Sequence, residues 1–211
     1  MTWFDLIFIA AFLFTAGSLL AAVIPFARRR TDFARRVIRR VAIFAAVYFA
    51  VEITVALSSP QRVLAVGDTR RFDDWCIAVM SASTAEQLGP SLRAAPEKFV
   101  LVSFKVSSTA GRIRQAARDA AVYATDASGR RFEVFAPGQA AFEAAAGPQT
   151  PLTQTLDPRS SFQTVRVFRV PAQTPALDIH VRHGAWPGWF IIGGEGSFFH
   201  PPTVIRVPLP R

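Results

Sequence analysis

The sequence predicts a membrane-anchored all-β protein, two N-terminal transmembrane helices followed by a β-sandwich, on three observations. Residues 6–26 and 41–57 are apolar stretches of membrane-crossing character. The short segment between them carries Arg28, Arg29, Arg30, Arg35, Arg36, Arg39 and Arg40. From Arg62 onward apolar residues alternate with polar ones, and proline and glycine break the alternation into short runs.

The first stretch, at about 1.5 Å per residue, makes roughly 31 Å of helix against a hydrocarbon core of about 30 Å. A cleavable signal sequence carries its basic residues before the apolar run. Here residues 1–5 hold no Lys or Arg and the basic cluster follows, so a retained helix is expected. Glu52 interrupts the second stretch, Tyr48 stands one turn before it, and Pro60 ends the helix. Running that helix back through Val37 and Ile38, with Arg39 and Arg40 snorkelling to the interface, restores a full crossing. The expected spans are about 5–26 and 38–58, and the positive-inside rule puts the loop 27–37 in the cytoplasm. The chain then divides into a hairpin, 1–59, and an extracytoplasmic (periplasmic) domain, 60–211, on the same side as the N-terminus. The expected location is the inner, cytoplasmic membrane, crossed more than once.

About 150 residues remain after the hairpin, enough for one domain with its own core. The formal charge of +9 invites a nucleic-acid reading, but seven of the arginines belong to the hairpin and are explained by topology. From Ser59 onward 17 basic and 12 acidic residues are interspersed without a dense run, which excludes a nucleic-acid stripe. The single cysteine, Cys76, has no partner for an intramolecular disulfide and sits between Trp75 and Ile77 as a small buried hydrophobe in a strand.

Alternation is clearest at 98–108, where Val100, Val102, Phe104 and Val106 share one face, and at 176–183, where Leu177, Ile179 and Val181 oppose Asp178, His180 and Arg182. Noisier strands are expected at 62–66, 74–81, 120–125, 130–135, 162–170, 189–192 and 203–209, with Asp126-Ala127-Ser128-Gly129 as a hairpin turn. Eight or so short strands read as a β-sandwich. Residues 138–155, rich in Ala, Gln and Pro, read as a long surface loop with at most a short helical turn.

Several of these segments together follow the layout of a known family: 66–72, then 98–106, then the hairpin 122–134, then 156–171. Asp126-Ala127-Ser128-Gly129-Arg130-Arg131-Phe132 and Phe168-Arg169-Val170-Pro171 match its recurring patterns, whereas Asp157-Pro158-Arg159-Ser160 stands where a Pro-Gly turn is usual. The chain resembles DUF4352, immunoglobulin-like domains related to the telomeric-repeat-binding-factor-2-like extracellular family. The resemblance implies an immunoglobulin-like β-sandwich with binding or structural roles and carries over no catalytic residues.

The candidate sites are few. His180 and His183, three apart, face opposite ways on a strand, and His200 precedes Pro201-Pro202, so no metal site is expected. Gly193-Gly194-Glu195-Gly196-Ser197 lacks the Lys-Ser/Thr of a phosphate loop and reads as a glycine-rich hairpin tip. Around it Trp186, Trp189, Phe190, Phe198 and Phe199 exceed what one strand pair buries, which points to an exposed aromatic turn meeting a partner or the membrane interface. Glu52 either snorkels or contacts another subunit. Ala42, Ala46 and Ala50 form one small-residue stripe, and Ala11, Thr15, Ser18 and Ala22 another, as close helix packing requires.

No catalytic triad, paired carboxylate or cofactor fingerprint is present, so no catalytic residue, cofactor or metal is expected. The expected function is non-enzymatic: an envelope protein whose outer domain binds or braces other membrane or periplasmic proteins. A variant is an accessory subunit of a respiratory or photosynthetic complex. Glu52, Ala42, Ala46, Ala50, Trp186, Trp189, Phe198 and Phe199 are the expected partner-binding residues. The bilayer is the other partner; nucleic acid is excluded and a small-molecule ligand is disfavoured. The alternative is a periplasmic ligand-binding sensor or enzyme with a pocket near 186–200.

Overall fold

The computed structural model describes residues 3–27, 31–90, 92–184 and 188–210. Arg28, Arg29, Arg30 and Trp186 therefore lie outside the described residues. The chain divides into two compact units, Met1–Gln61 with Ala185–Pro202, and Arg62–Gly184 with Thr203–Arg211.

The first unit is built on two long helices, α1 (Trp3–Ala27) and α2 (Thr31–Ser58). Both are long and apolar enough to cross a membrane. The helices pack along stripes three or four residues apart. On α1 these are Phe8, Ala11, Thr15, Ser18 and Ala22, all half-buried or buried. On α2 they are Ala34, Val37, Val41, Phe44, Tyr48, Glu52 and Ala56. Small side chains on α1 let the backbones approach, and Phe14 meets Phe44 edge-on with ring centres 5.0 Å apart. The α1 stripe expected from the sequence thus serves the hairpin itself. The Ala42, Ala46 and Ala50 stripe points away from it and is exposed. At the end of α2 the hydroxyls of Thr54, Ser58 and Ser59 donate to the carbonyls of Ala50, Val55 and Val55, and Pro60 stops the helix.

The second unit is a β-sandwich. Its strands are β1 (Val63–Leu64), β2 (Thr69–Phe72), β3 (Trp75–Ala85), β4 (Gln87–Leu88), β5 (Leu92–Arg93), β6 (Glu97–Ser108), β7 (Ala121–Thr125), β8 (Arg131–Phe132), β9 (Ser161–Pro171), β10 (Ala176–Arg182) and β11 (Val204–Pro208), with helix α3 (Ala136–Ala146) between β8 and β9. One sheet runs β1-β11-β10-β7-β8, the other β2-β3-β6-β9, and β4-β5 is a small separate ribbon. Pairing is antiparallel except for β1 with β11.

The alternation read from 98–108 decides the packing. Val100, Val102, Phe104 and Val106 enter the main core with Trp75, Ile77, Val79, Phe168 and Val170 of their own sheet. From the facing sheet come Val122, Ala124, Leu177, Ile179, Val181, Ile205 and Val207. Cys76 is buried in β3, as its neighbours predict. A bulge between Val79 and Ser81 turns Met80 outward. In the β7–β8 hairpin the Asp126 carboxylate accepts from the Ser128 amide and hydroxyl and the Arg130 amide, closing the expected turn.

Two expectations are corrected. The first half of 138–155 is not a loop: Ala136–Ala146 is a helix of three turns, and only 147–155 is irregular. Alanine supplies five of its last seven residues, Pro137 sits in its first turn where no N–H is needed, and Gly147 at φ 91° ends it. The helix covers the outer side of the four-stranded sheet, where Phe135 stacks on Phe99 at 6.0 Å in a second cluster with Leu88, Ala94 and Val167. Second, 189–192 is not a strand; Gly188–Phe190 is a 3₁₀ turn and the glycines that follow prevent a ladder. Residues 188–202 group with the helices.

The strand β9 lies at a sheet edge, and side chains cap it. The Val165 amide donates to Gln149 Oε1 and the Val167 amide to Gln139 Oε1. Gln139 also donates through Nε2 to the Val165 carbonyl, and the Phe135 amide takes the Val167 carbonyl.

Candidate functional site

The chemistry-bearing side chains fall into three clusters. The first is in the helical unit. Between β10 and β11 the chain leaves the sheet and returns by an excursion whose described part is 188–202. Here the Tyr48 hydroxyl donates to the Phe190 carbonyl at 2.6 Å, and Phe190 meets Phe49 at 6.0 Å between ring centres. At Gly193, left-handed at φ 70°, a Cβ would stand 3.7 Å from Val55 and 3.8 Å from Phe4. Phe198 packs on Trp189 at 6.1 Å and on Phe190 at 5.6 Å. Glu52 lies beneath, 0% exposed. The backbone amide of Phe198 faces its carboxylate without reaching hydrogen-bond geometry, and neither carboxyl oxygen has a hydrogen-bond partner. Glu52 is therefore enclosed by its own chain, and neither snorkels to water nor presents itself to a neighbour. Trp189, Phe198 and Phe199 are exposed, as the sequence predicts for an aromatic turn. His200 turns inward on its own loop, its Nδ1–H donating to the Pro201 carbonyl at 2.8 Å.

The second cluster is at one end of the sandwich. His183 pairs through Nδ1 with Asp119, whose other oxygen accepts the Gly184 amide at 3.0 Å. The His183 ring lies 5.2 Å from Trp75 and 5.5 Å from Phe72. Burial pushes the Asp119 carboxyl up, but the Gly184 amide and the His183 ring more than offset it, so its pKa lies below the ordinary aspartate value. A carboxylate orienting an imidazole is half of a general-base arrangement. Among the described residues no hydroxyl or thiol hydrogen-bonds that ring.

The third cluster lies on the five-stranded sheet. His180 stacks on Tyr123 at 4.5 Å and 6° between ring planes, its Nε2 is 3.0 Å from Thr125 Oγ1, and the Arg131 guanidinium lies 3.8 Å over the Tyr123 ring. Arg70 Nη1 donates to the Val181 carbonyl at 3.0 Å and the Thr203 carbonyl at 2.9 Å. Arg206 grips Asp178 through Nε and Nη2 at 2.8 and 2.9 Å. Burial holds the His180 pKa below the ordinary histidine value; Asp178 opposes this, and Arg70 and Arg131 add to it. The two histidines read from the sequence as a non-pair thus take separate partners, and the described residues bring no three His, Cys, Asp or Glu side chains together.

A pH dependence follows. His180 is neutral in the fold, so folding excludes a proton that the unfolded chain takes up below about pH 6.5. Its contribution is fully present above that pH and is lost as pH falls through it toward the lower folded value. The Asp119 contribution is present above the ordinary aspartate pKa and is lost only in stronger acid, so the two windows separate. His180→Phe keeps a ring on Tyr123 and cannot titrate. The drop in melting temperature between about pH 7.5 and about pH 5.5 is expected to shrink in that variant. An undiminished drop would assign the effect to another group.

Among the described residues a depression of about 160 Å³ on the four-stranded sheet is lined by Gly67, Thr69, Ala78, Met80, Lys105 and Ser107. Small-molecule sites occupy roughly 300–1,000 Å³.

No family model and no curated protein matches the sequence. Among solved structures the chain is similar to a conserved hypothetical protein from Bacillus anthracis, at 11% identity and a TM-score of 0.46, over 56% of this chain and 89% of that one. It is similar to an uncharacterized β-sandwich protein from Clostridium difficile 630, at 9% identity and a TM-score of 0.42, over 71% and 95%. A secreted protein from Mycobacterium tuberculosis, MPT63, aligns at 15% identity and a TM-score of 0.40, over 60% and 100%.

Proposed function

We propose that the chain is a non-enzymatic envelope protein. Its helix pair crosses a bacterial-type inner membrane, and its sandwich, an immunoglobulin-like module resembling DUF4352, binds or braces other proteins on the extracytoplasmic side. The observation that carries this reading is the surface of the helix pair. Phe12, Leu13, Leu20, Phe26 and Leu57 are each more than half exposed, with Leu20 at 71%, so the apolar perimeter of both helices meets the surroundings instead of a protein core. An apolar surface this continuous is stable in lipid and not in water. The arginines at 28–40 stand at one end of the pair, which orients it by the positive-inside rule.

The exposed Ala42, Ala46 and Ala50 stripe supports the variant in which the protein is an accessory subunit, since small residues admit a neighbouring helix at close range. Purification in mild detergent separates the two forms: a stoichiometric co-purifying assembly supports the accessory subunit, and a lone chain counts against it.

Orientation has a direct test. In a Cys76→Ala background, Thr31→Cys is expected to resist a membrane-impermeant thiol reagent in intact cells, while Ser128→Cys reacts. Both positions are exposed, so burial does not protect either. Labelling at Thr31 with protection at Ser128 would reverse the orientation and remove the extracytoplasmic reading.

A further inference from the structure

We propose that the excursion 188–199 is a re-entrant aromatic wedge seated in the outer leaflet of the bilayer, its exposed rings meeting the acyl chains. The inference rests on the helix pair spanning the membrane and adds a third embedded element to it.

Depth is the first argument. The excursion does not cap the helix ends but runs beside them. Tyr48, which holds the Phe190 carbonyl, stands ten residues before Ser58, the last residue of α2. That is about 15 Å along the axis, half of a hydrocarbon core. Gly193 lies against Val55 and Phe4, nearer the outer ends of both helices. The segment therefore occupies the level of the outer leaflet.

The second argument is its backbone. Non-helical chain at membrane depth must satisfy its own polar groups or bury them in protein. Part of the excursion does so by successive turns: Ile191 N–H to the Gly188 carbonyl, Gly194 to Ile191, Ser197 to Gly194 and His200 to Ser197. Phe198 N–H reaches the Trp189 carbonyl, and the Phe190 carbonyl is taken by Tyr48.

The third argument is what the excursion shows and what it hides. Phe199 is 68% exposed, Trp189 43% and Phe198 41%, large apolar rings turned outward. Its single charged side chain between 188 and 199 is Glu195, which is exposed and engaged in an interaction of its own. On its inner side the excursion faces Glu52, the acid that would otherwise meet acyl chains from α2.

The test uses the full chain in phosphatidylcholine–phosphatidylglycerol vesicles. In a Cys76→Ala background, single cysteines at Phe199, Trp189, Leu13 and Ser128 carry an environment-sensitive fluorophore, and lipids bear doxyl quenchers at shallow or deep acyl positions. The probes at Phe199 and Trp189 are expected to show blue-shifted emission and severalfold stronger quenching by doxyl-labelled lipid than the probe at Ser128, with the deep label effective at Trp189. If both match Ser128 while Leu13 is quenched, the wedge is overturned and the anchor stands. Loss of quenching at Leu13 as well overturns the spanning reading and the wedge with it. The two excursion sites guard against a local disturbance at either one.

Discussion

Phe104→Ala is expected to lower the unfolding free energy of the sandwich by about 3–5 kcal/mol, read from denaturant midpoints of the detergent-solubilised chain. Phe104 is fully buried on β6, the strand flanked by β3 and β9, and it meets Thr164 and Val79 in register. Removing its ring leaves a cavity that a clamped central strand does not collapse around. A domain of this size has a stability of roughly 5–15 kcal/mol, so the variant sits near its folding threshold. Phe104→Leu should recover much of the loss. Met80→Ala is the control: Met80 is 42% exposed at the bulge and its truncation is expected to change stability by no more than about 0.5 kcal/mol. Equal losses at both positions would mean that the register assigned to β3 is wrong.

The second large effect is expected at Arg70→Met, with a loss of about 3 kcal/mol. Arg70 is buried on β2, in the four-stranded sheet, yet its guanidinium supplies the carbonyls of Val181 and Thr203 beside the other sheet. Methionine fills similar volume but leaves both carbonyls without a donor in a dry environment, and that desolvation is the greater part of the cost. Arg70→Lys keeps a charge but not the planar fork, and should fall between. A loss below about 1 kcal/mol for Arg70→Met would show that water replaces the guanidinium, and the tie between sheets would be dispensable.

These two residues also mark what the sequence discloses. Phe104 lies in a run whose alternation is strict from Lys98 to Ser107, and the strand, its buried face and its place in a sandwich all follow from period. Arg70 inverts the rule: Thr69-Arg70-Arg71-Phe72 reads as a polar connection, and only tertiary partners make a buried arginine tolerable there. Helix α3 was hidden for a different reason. Its alanines favour helix, but Pro137, Gly138 and the glutamines gave the segment a loop-like composition, and composition outweighed propensity. The two long helices were legible from the length of the apolar runs, although α2 begins at Thr31, inside the expected loop 27–37. The aromatic excursion was legible only as an excess of rings. Nothing local shows that Phe190 and Phe198 pack with the helical unit, although an acid and a tyrosine one turn apart inside an apolar run is the kind of signal that asks for a cover.

The capped edge of β9 sets the terms on which this protein can meet its neighbours. On the proposed membrane anchor, copies are confined to two dimensions, where their effective concentration is high and an open strand would recruit another chain by backbone pairing. Over Val165–Val167 of β9 that route is closed, because Gln139 and Gln149 already occupy the amides of Val165 and Val167 as a foreign strand would. Recognition along this stretch is left to side chains alone. Crowding on the membrane surface therefore does not by itself drive polymerisation there, and any selectivity for a partner resides in residue identity, where single substitutions can retune it without disturbing the sheet.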